Sequence, residues 1–314
     1  MNKSAIKSYA IWARQQLLQA VKQRAFALEI YSDGKMVPDT YIIDGRPLST
    51  AEKEQRNTLI RYILQKGYEA VMEEAAYTWF NRFIALRFME VNGYLPSKVR
   101  VFTDENGDFK PEILKQALNV DLDLLNRDRV LDLLNKQDEE GLYRYLLITQ
   151  CNELNKALPF MFETISGWTE LLFPDYLLRP ESVIGRMITD IPEEDWTDQV
   201  QIIGWLYQHY NSELKDKVDD LLEKKCDISN DLIPVVTQLY TPDWIVRYLV
   251  ENSLGRMAIS SQQSAVSGQH SESERISKEK EIAENYGWKY YLPEAEQTSE
   301  VRNQHNQFLT PRII

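Results

Sequence analysis

The sequence predicts a mainly α-helical protein, and two features of the chain support that prediction. Apolar side chains recur at the helical spacing of three to four residues through two long stretches, residues 4–30 and 68–92. Glycine and proline residues separate these stretches from a series of shorter helical patterns. We therefore expect a multi-helix domain over residues 1–235, with very little strand and no central sheet.

The first predicted helix covers residues 4–30 and begins at Ser4, whose hydroxyl is able to cap a helix N-terminus. Basic residues form one face of this helix. Such a face either contacts DNA phosphates or is only solvated, and charged helix faces are more often solvated. The residues of this face are Lys3, Lys7, Arg14, Lys22 and Arg24.

The next segment contains two turn signals, Asp33-Gly34 and Asp44-Gly45. Between them we expect a short hairpin-like excursion of the chain. A second helix is then predicted over residues 49–65, and Gly67 ends it because glycine is a poor helix former.

The strongest helical pattern, residues 68–92, is apolar on nearly every side, which predicts a central buried helix. Arg87 and Glu90 interrupt this pattern three residues apart. Because a buried charge needs a partner, we expect these two side chains to form an ion pair. Shorter helices are predicted farther along, over residues 111–118, 121–135, 139–157, 197–210 and 211–225.

The net charge of −12 is distributed unevenly along the chain. Residues 1–100 carry a net charge of +5, residues 101–235 carry −15 and residues 236–314 carry −2. The acidic middle is a solvated surface, a protein-docking face or a region kept away from DNA. A solvated surface is the commonest of the three.

The sequence contains no catalytic constellation and no predicted metal site. The three histidines, His209, His270 and His305, are scattered and have no cysteines near them in the sequence. The two cysteines, Cys151 and Cys226, form no Cys-x-x-Cys pair, which fits a reducing compartment. There is no secretory signal region and no apolar run of about 18 residues. We therefore expect a cytoplasmic protein without a membrane span.

A short loop leading into a helix is predicted within residues 237–252. Thr241 is the predicted N-cap of this helix, Pro242 its first residue and Asp243 an acid in its first turn. Gly255 is predicted to end the helix. Such a helix start either offers free backbone N–H groups to an anion, for example a ligand carboxylate, or belongs to a capped helix that simply packs on a core.

The residues at this helix start carry a family resemblance. Gln238, Tyr240, Thr241 and Pro242, followed by an apolar helix, resemble the motif that opens the catalytic domain of adenine-N6 DNA methyltransferases. In that family the motif lies against the methionine end of S-adenosylmethionine. The resemblance therefore implies that these four residues contact this cofactor.

The wider chain resembles one branch of that family, the PglX-type methyltransferases of BREX phage-defence systems. The resemblance rests on residues 76–90, on the Thr-Pro helix and on residues 287–296, in this order. It implies methylation of adenine N6 in a short site of host DNA, with S-adenosylmethionine as the methyl donor. DNA and other proteins of the defence system are the implied partners.

Two motifs of this family are absent from the chain, the Asp-Pro-x-x-Gly-x-Gly loop for the cofactor and the Asn-Pro-Pro-aromatic loop for the adenine. We therefore expect an N-terminal portion of a longer protein, inactive by itself. Residues 1–235 form the predicted helical N-terminal domain. Residues 236–314 form the truncated opening of a Rossmann-like methyltransferase domain, with a mobile serine-rich segment at 260–277.

A second hypothesis comes from a different class of protein. In this alternative the chain is a helical protein-interaction adaptor, and its acidic middle region is the docking face.

Overall fold

The structure, a computed structural model, is mainly helical, as predicted. It describes residues 2–43, 45–162, 167–224, 232–237, 240–265 and 272–293. Contacts divide the chain into two compact units, Met1–Leu239 and Tyr240–Ile314. The assignment of these units to a helical domain and a methyltransferase opening stays a prediction.

The unit Met1–Leu239 is a multi-helix assembly with a short 3₁₀ helix at Glu193–Asp195. Its α-helices are α1 (Lys3–Ala27), α2 (Thr50–Lys66), α3 (Tyr68–Val91), α4 (Glu112–Lys115), α5 (Arg127–Asn135), α6 (Glu139–Leu154), α7 (Trp168–Leu171), α8 (Val183–Asp190), α9 (Gln201–Tyr210), α10 (Ser212–Glu223) and α11 (Ile233–Thr237).

Within the described residues, the strands are limited to one small antiparallel hairpin. Its strands are β1 (Ile42–Ile43) and β2 (Arg46–Pro47), in which Ile42 lies opposite Pro47 and Ile43 opposite Arg46. The segment between the two turn signals, where the sequence predicts an excursion, contains only β1, and β2 lies after the second turn signal. No central sheet occurs in the described part of this unit, as predicted.

Helix α3 lies at the centre of the core, as its pattern predicts. Its aromatic side chains Trp79, Phe80 and Phe83 are buried, and Trp79 contacts Phe173 edge to face with ring centroids 4.6 Å apart. Helices α1 and α2 both pack against α3. Burial of this apolar helix between its neighbours stabilises the unit through the hydrophobic effect.

The predicted ion pair inside α3 is present and belongs to a larger buried network. Arg87 Nη1 lies 2.7 Å from Glu90 Oε1, and both side chains are buried. The other Glu90 oxygen accepts hydrogen bonds from the backbone N–H groups of Val101 (2.8 Å) and Phe102 (2.7 Å). Arg87 also contacts Glu193 at 3.1 Å. The network fixes the loop after α3 onto that helix.

Helix α1 begins one residue before the prediction, because Asn2 and not Ser4 is its N-cap. The Asn2 backbone is extended, and its side-chain oxygen accepts a hydrogen bond from the Ala5 backbone N–H at 3.2 Å. The basic face predicted for α1 is only partly solvated. Arg14 is buried, and its guanidinium contacts carboxylates of α3 and α10, Glu73 and Glu213.

The unit Tyr240–Ile314 contains three α-helices among its described residues. They are α12 (Asp243–Val250), α13 (Arg256–Ala265) and α14 (Glu272–Asn285), and a π-helical turn at Glu251–Gly255 joins α12 to α13. Within the predicted mobile segment 260–277, both ends are helical and residues 266–271 lie outside the described residues. The mobility of this segment stays a prediction.

Candidate functional site

Helix α12 begins one residue later than the sequence predicts. Pro242 is the N-cap, with an extended backbone (ψ 140°), and its carbonyl accepts hydrogen bonds from the N–H groups of Ile245 (2.9 Å) and Val246 (3.3 Å). The prediction of Thr241 as N-cap is wrong, because Thr241 lies one position too early for its hydroxyl to reach the first turn. Proline has no side-chain acceptor, so this helix start has no side-chain cap.

The uncapped start of α12 presents backbone donors. Among the described residues, no hydrogen bond is made by the N–H groups of Asp243 and Trp244. The Asp243 carboxylate pairs with Arg247 Nε at 2.7 Å on the same helix. Because this ion pair offsets the acid's charge, the two free donors and the helix dipole are able to attract an anion.

Three of the four predicted site residues lie together at this helix start. Thr241 is exposed, Pro242 is half-buried, and 39% of the Tyr240 surface is exposed. Gln238, the fourth, lies outside the described residues. The assignment of these residues to a cofactor stays a prediction.

Helix α12 is apolar, yet none of its residues is buried. This exposure is unusual for a helix whose composition is that of a core helix, because large contiguous apolar surfaces on proteins are normally covered. We call the exposed apolar residues of α12 and of the turn after it the α12 face. They are Trp244, Val246, Tyr248, Leu249, Val250 and Leu254.

The sequence predicts that the helix ends at Gly255, and this prediction is wrong. The helical path continues through the π-helical turn into α13. Gly255 is required here for another reason, since a Cβ atom at this position would lie 2.7 Å from the Trp288 ring. The glycine therefore permits the close approach of Trp288, which stacks on Tyr286 with ring centroids 5.2 Å apart.

The π-helical turn holds residues 288–292 through side chains. The buried Glu251 carboxylate accepts a hydrogen bond from the Tyr290 N–H at 2.6 Å. The Asn252 amide donates to the Tyr290 carbonyl at 2.7 Å and accepts from the Leu292 N–H at 2.8 Å. We call these contacts, together with that of Gly255 and Trp288, the aromatic clamp. It fixes residues 288–292 beside the helix that continues from α12.

The part of the chain that the structure describes contains no cluster of three or more metal-binding side chains. No described helix combines the length and the apolar character needed to cross a membrane.

Two curated proteins are similar to this chain over most of its length. The adenine-specific methyltransferase PglX of Lacticaseibacillus casei (strain Zhang) is 40% identical over 326 aligned residues, which cover 95% of this chain and 26% of PglX. The adenine-specific methyltransferase BrxX of Escherichia coli O9:H4 (strain HS) is 40% identical over 270 residues, which cover 82% of this chain and 22% of BrxX. The chain matches no protein-family model.

The resemblance to the PglX-type methyltransferases is confirmed. The chain spans about a quarter of the length of these two relatives. Their similarity covers both units and is not confined to the short Thr-Pro motif.

The structure brings together two of the segments on which the resemblance rests. The turn that continues the Thr-Pro helix and residues 288–292 meet in the aromatic clamp, through hydrogen bonds between residues 38 to 40 positions apart along the chain. The sequence identifies both segments but does not identify Glu251 and Asn252 as their connection. The only sequence signal for that connection is a pair of polar residues, Glu251-Asn252, directly after an apolar helix.

Proposed function

We propose that this chain is part of a DNA methyltransferase that transfers a methyl group from S-adenosylmethionine to adenine N6 in host DNA, for self-marking in phage defence. In this proposal the start of α12, with Gln238, Tyr240, Thr241 and Pro242, lies against the methionine end of the cofactor. DNA is the substrate, and other proteins of the defence system are partners. The similarity to PglX and BrxX, both named as adenine-specific methyltransferases, supports the reaction class.

The uncapped start of α12 is the observation that carries the site assignment. The cofactor's methionine end has a carboxylate, and the free N–H groups of Asp243 and Trp244 are donors of the kind that bind carboxylates at helix N-termini. Tyr240 and Trp244, both partly exposed beside these donors, offer aromatic surface to the rest of the ligand. The residues present therefore fit one end of the cofactor.

The helix start by itself supplies too little binding free energy. A helix N-terminus contributes about 1–2 kcal/mol toward an anion, whereas a micromolar ligand requires about 8 kcal/mol. The two glycine- and proline-containing motifs that hold the cofactor and the adenine in the resembled family are absent from this sequence. We therefore expect this 314-residue chain to bind no S-adenosylmethionine measurably and to methylate no DNA.

Titration calorimetry with S-adenosylmethionine tests both parts of the proposal. In a longer protein that contains this chain, Tyr240→Ala combined with Thr241→Ala should weaken cofactor binding about tenfold, as expected for the loss of one aromatic and one polar contact. Tyr94→Ala is the control, since Tyr94 is an exposed tyrosine of the other unit. Unchanged affinity in the double variant would remove the site assignment, and micromolar binding by the 314-residue chain would contradict its predicted inactivity.

The adaptor hypothesis makes a different prediction for the same longer protein. If the chain served only to bind proteins, the longer protein would show neither cofactor binding nor methyl transfer to DNA. In that case the acidic middle region would be the surface to examine for partners.

A further inference from the structure

A groove of about 1030 Å³ runs along one side of α1 in the unit Met1–Leu239. On α1 its lining extends from Arg14 to Phe26, and it also includes Tyr31, Tyr68 and Glu213. Twelve residues of α-helix span about 18 Å, so the groove is long enough for five or six residues of extended chain. This volume exceeds what a single small molecule usually occupies.

Three glutamines of α1 form a regular row of amides along the groove. Gln15, Gln19 and Gln23 follow one another every four residues and are exposed. Gln15 donates a hydrogen bond to Glu213. Gln19 and Gln23 have no hydrogen-bond partner within the part of the chain that the structure describes.

The spacing of this row fits an extended polypeptide. Residues four apart on a helix lie about 6 Å apart along its axis. Alternate residues of an extended strand lie about 6.6 Å apart and present their N–H and C=O groups to the same side. An amide side chain both donates and accepts, so each of the two free amides, Gln19 and Gln23, is able to pair with one backbone unit of such a strand.

The charges along the groove are already neutralised by neighbouring side chains. Lys22 lies 2.6 Å from the carboxylate of Glu69, and Lys35 lies 2.7 Å from that of Asp33. Arg14, the third cation of the groove, contacts Glu213 at 3.1 Å. A phosphate backbone gains its affinity from unpaired cations. The groove is therefore suited to an uncharged ligand and not to DNA.

The two ends of the groove offer different contacts. At one end Arg14 is buried, and its Nε–H donor has no acceptor among the described residues. That donor is covered by the protein itself, so this end of the groove offers a bound segment no hydrogen bond from Arg14 Nε. At the other end Phe26, 66% exposed, meets Tyr31 edge to face with ring centroids 5.4 Å apart. This aromatic pair offers a surface for an apolar side chain.

We propose that this groove binds an extended, uncharged segment of a partner protein, about five or six residues long, through the amides of Gln19 and Gln23. An apolar side chain near one end of the segment rests on Phe26 and Tyr31. The segment belongs to a separate protein, whose uncharged backbone matches the neutralised charges along the groove. This inference does not depend on methyl transfer.

The test uses a displayed library of random ten-residue peptides, selected on the 314-residue chain and then synthesised with both ends blocked. Fluorescence anisotropy measures binding of the selected peptides to the wild-type chain and to variants. Selected peptides should be uncharged over five or six consecutive positions. Gln19→Ala combined with Gln23→Ala should weaken their binding about tenfold, and Phe26→Ala should also weaken it. Gln65→Ala is the matched control, an exposed glutamine of α2 outside the groove, and should leave binding unchanged.

Three results would overturn the proposal. The first is a library that yields no binder, or binders whose affinity is the same for the Gln19/Gln23 variant and the wild type. The second is tighter binding of a twelve-nucleotide oligothymidylate, lost in the Gln19/Gln23 variant, which would assign the groove to nucleic acid. The third is self-association of the chain in sedimentation velocity, abolished by the same variant, which would assign the groove to a second copy. All three substituted side chains are exposed, so the variants should remain folded.

Discussion

Two helix starts in this chain differ by a single hydrogen-bonding side chain. Ser49 caps α2 in a reciprocal arrangement: its hydroxyl accepts from the Glu52 N–H at 3.2 Å, and the Glu52 carboxylate accepts from the Ser49 N–H at 2.9 Å. At α12 the residue in the corresponding position is Pro242, and Thr241 lies outside the first turn. Sequence patterns predict both helices, but they cannot distinguish a threonine that caps from one that lies one position too early.

This difference predicts unequal losses of stability for two similar substitutions. Ser49→Ala should lower the free energy of unfolding by about 1 kcal/mol, because it leaves a donor of the first turn unpaired. Thr241→Ala should change it by less than about 0.5 kcal/mol, because no capping hydrogen bond is lost. Urea unfolding of the two variants compares these values. A loss of about 1 kcal/mol for Thr241→Ala would show that its hydroxyl caps the helix after all.

The Cys151 thiol is expected to be unreactive in the folded protein. It is buried in α6, and burial raises its pKa from the ordinary value of 9.0 to about 12, although nearby Arg82 opposes the shift. A thiol must ionise to react with a disulfide reagent. In a Cys226→Ser background, labelling at pH 8 should be at least about 100-fold slower in buffer than in urea, since reaction requires opening of the structure. Equal rates would mean that Cys151 is accessible.

The same shift has a consequence for stability at high pH. Because the folded-state pKa of Cys151 lies above its unfolded value, the neutral thiol stabilises the folded state fully below about pH 9. That contribution is lost as the pH rises from about 9 toward 12. Comparing Cys151→Ala with its parent over this range isolates the contribution, which should decrease and not increase with pH.

At the scale of elements, the sequence predicts helix positions and contacts within one helix, because both depend on local periodicity. The position of α3 and the ion pair of Arg87 with Glu90 follow from spacing within one helix. The aromatic clamp does not, because it joins the Asn252 side chain to backbone groups 38 and 40 positions farther along the chain. Helical periodicity carries no information about such a contact, and a π-helical turn has no sequence signature of its own.

The clamp predicts that an extra methyl group at Gly255 is poorly tolerated. Gly255→Ala places a carbon 2.7 Å from the Trp288 ring, so the ring must move. Trp288 should then become more exposed, and the backbone N–H of Tyr290, now bonded to Glu251, should exchange with solvent about tenfold faster. Hydrogen exchange measured by mass spectrometry or NMR reports this change. Ser253→Ala, an exposed position in the same turn, is the control and should leave exchange unchanged.

The whole molecule combines a unit with a closed core and a unit with an exposed apolar helix. In Met1–Leu239 the large aromatic side chains of α3 are buried, whereas α12 has no buried residue. The relatives are about four times as long as this chain. The sequence lacks the two family motifs that hold the cofactor and the adenine, and this absence predicts that methyl transfer requires residues outside this chain. Only the structure reveals which surface is left uncovered, because burial of an apolar helix depends on its neighbours and not on its composition.

We therefore predict that the α12 face is covered in a longer protein that contains this chain. Leu249 is 58% exposed here, so Leu249→Lys should change the free energy of unfolding of the 314-residue chain by less than about 0.5 kcal/mol. In the longer protein the same change would bury an unpaired charge and should cost several kcal/mol. Urea or thermal unfolding of both proteins makes the comparison, with the exposed position Ser261→Lys on α13 as the control. If Leu249→Lys were as mild in the longer protein as in the short one, the α12 face would remain solvent-exposed there, and its apolar side chains would be available to a separate partner.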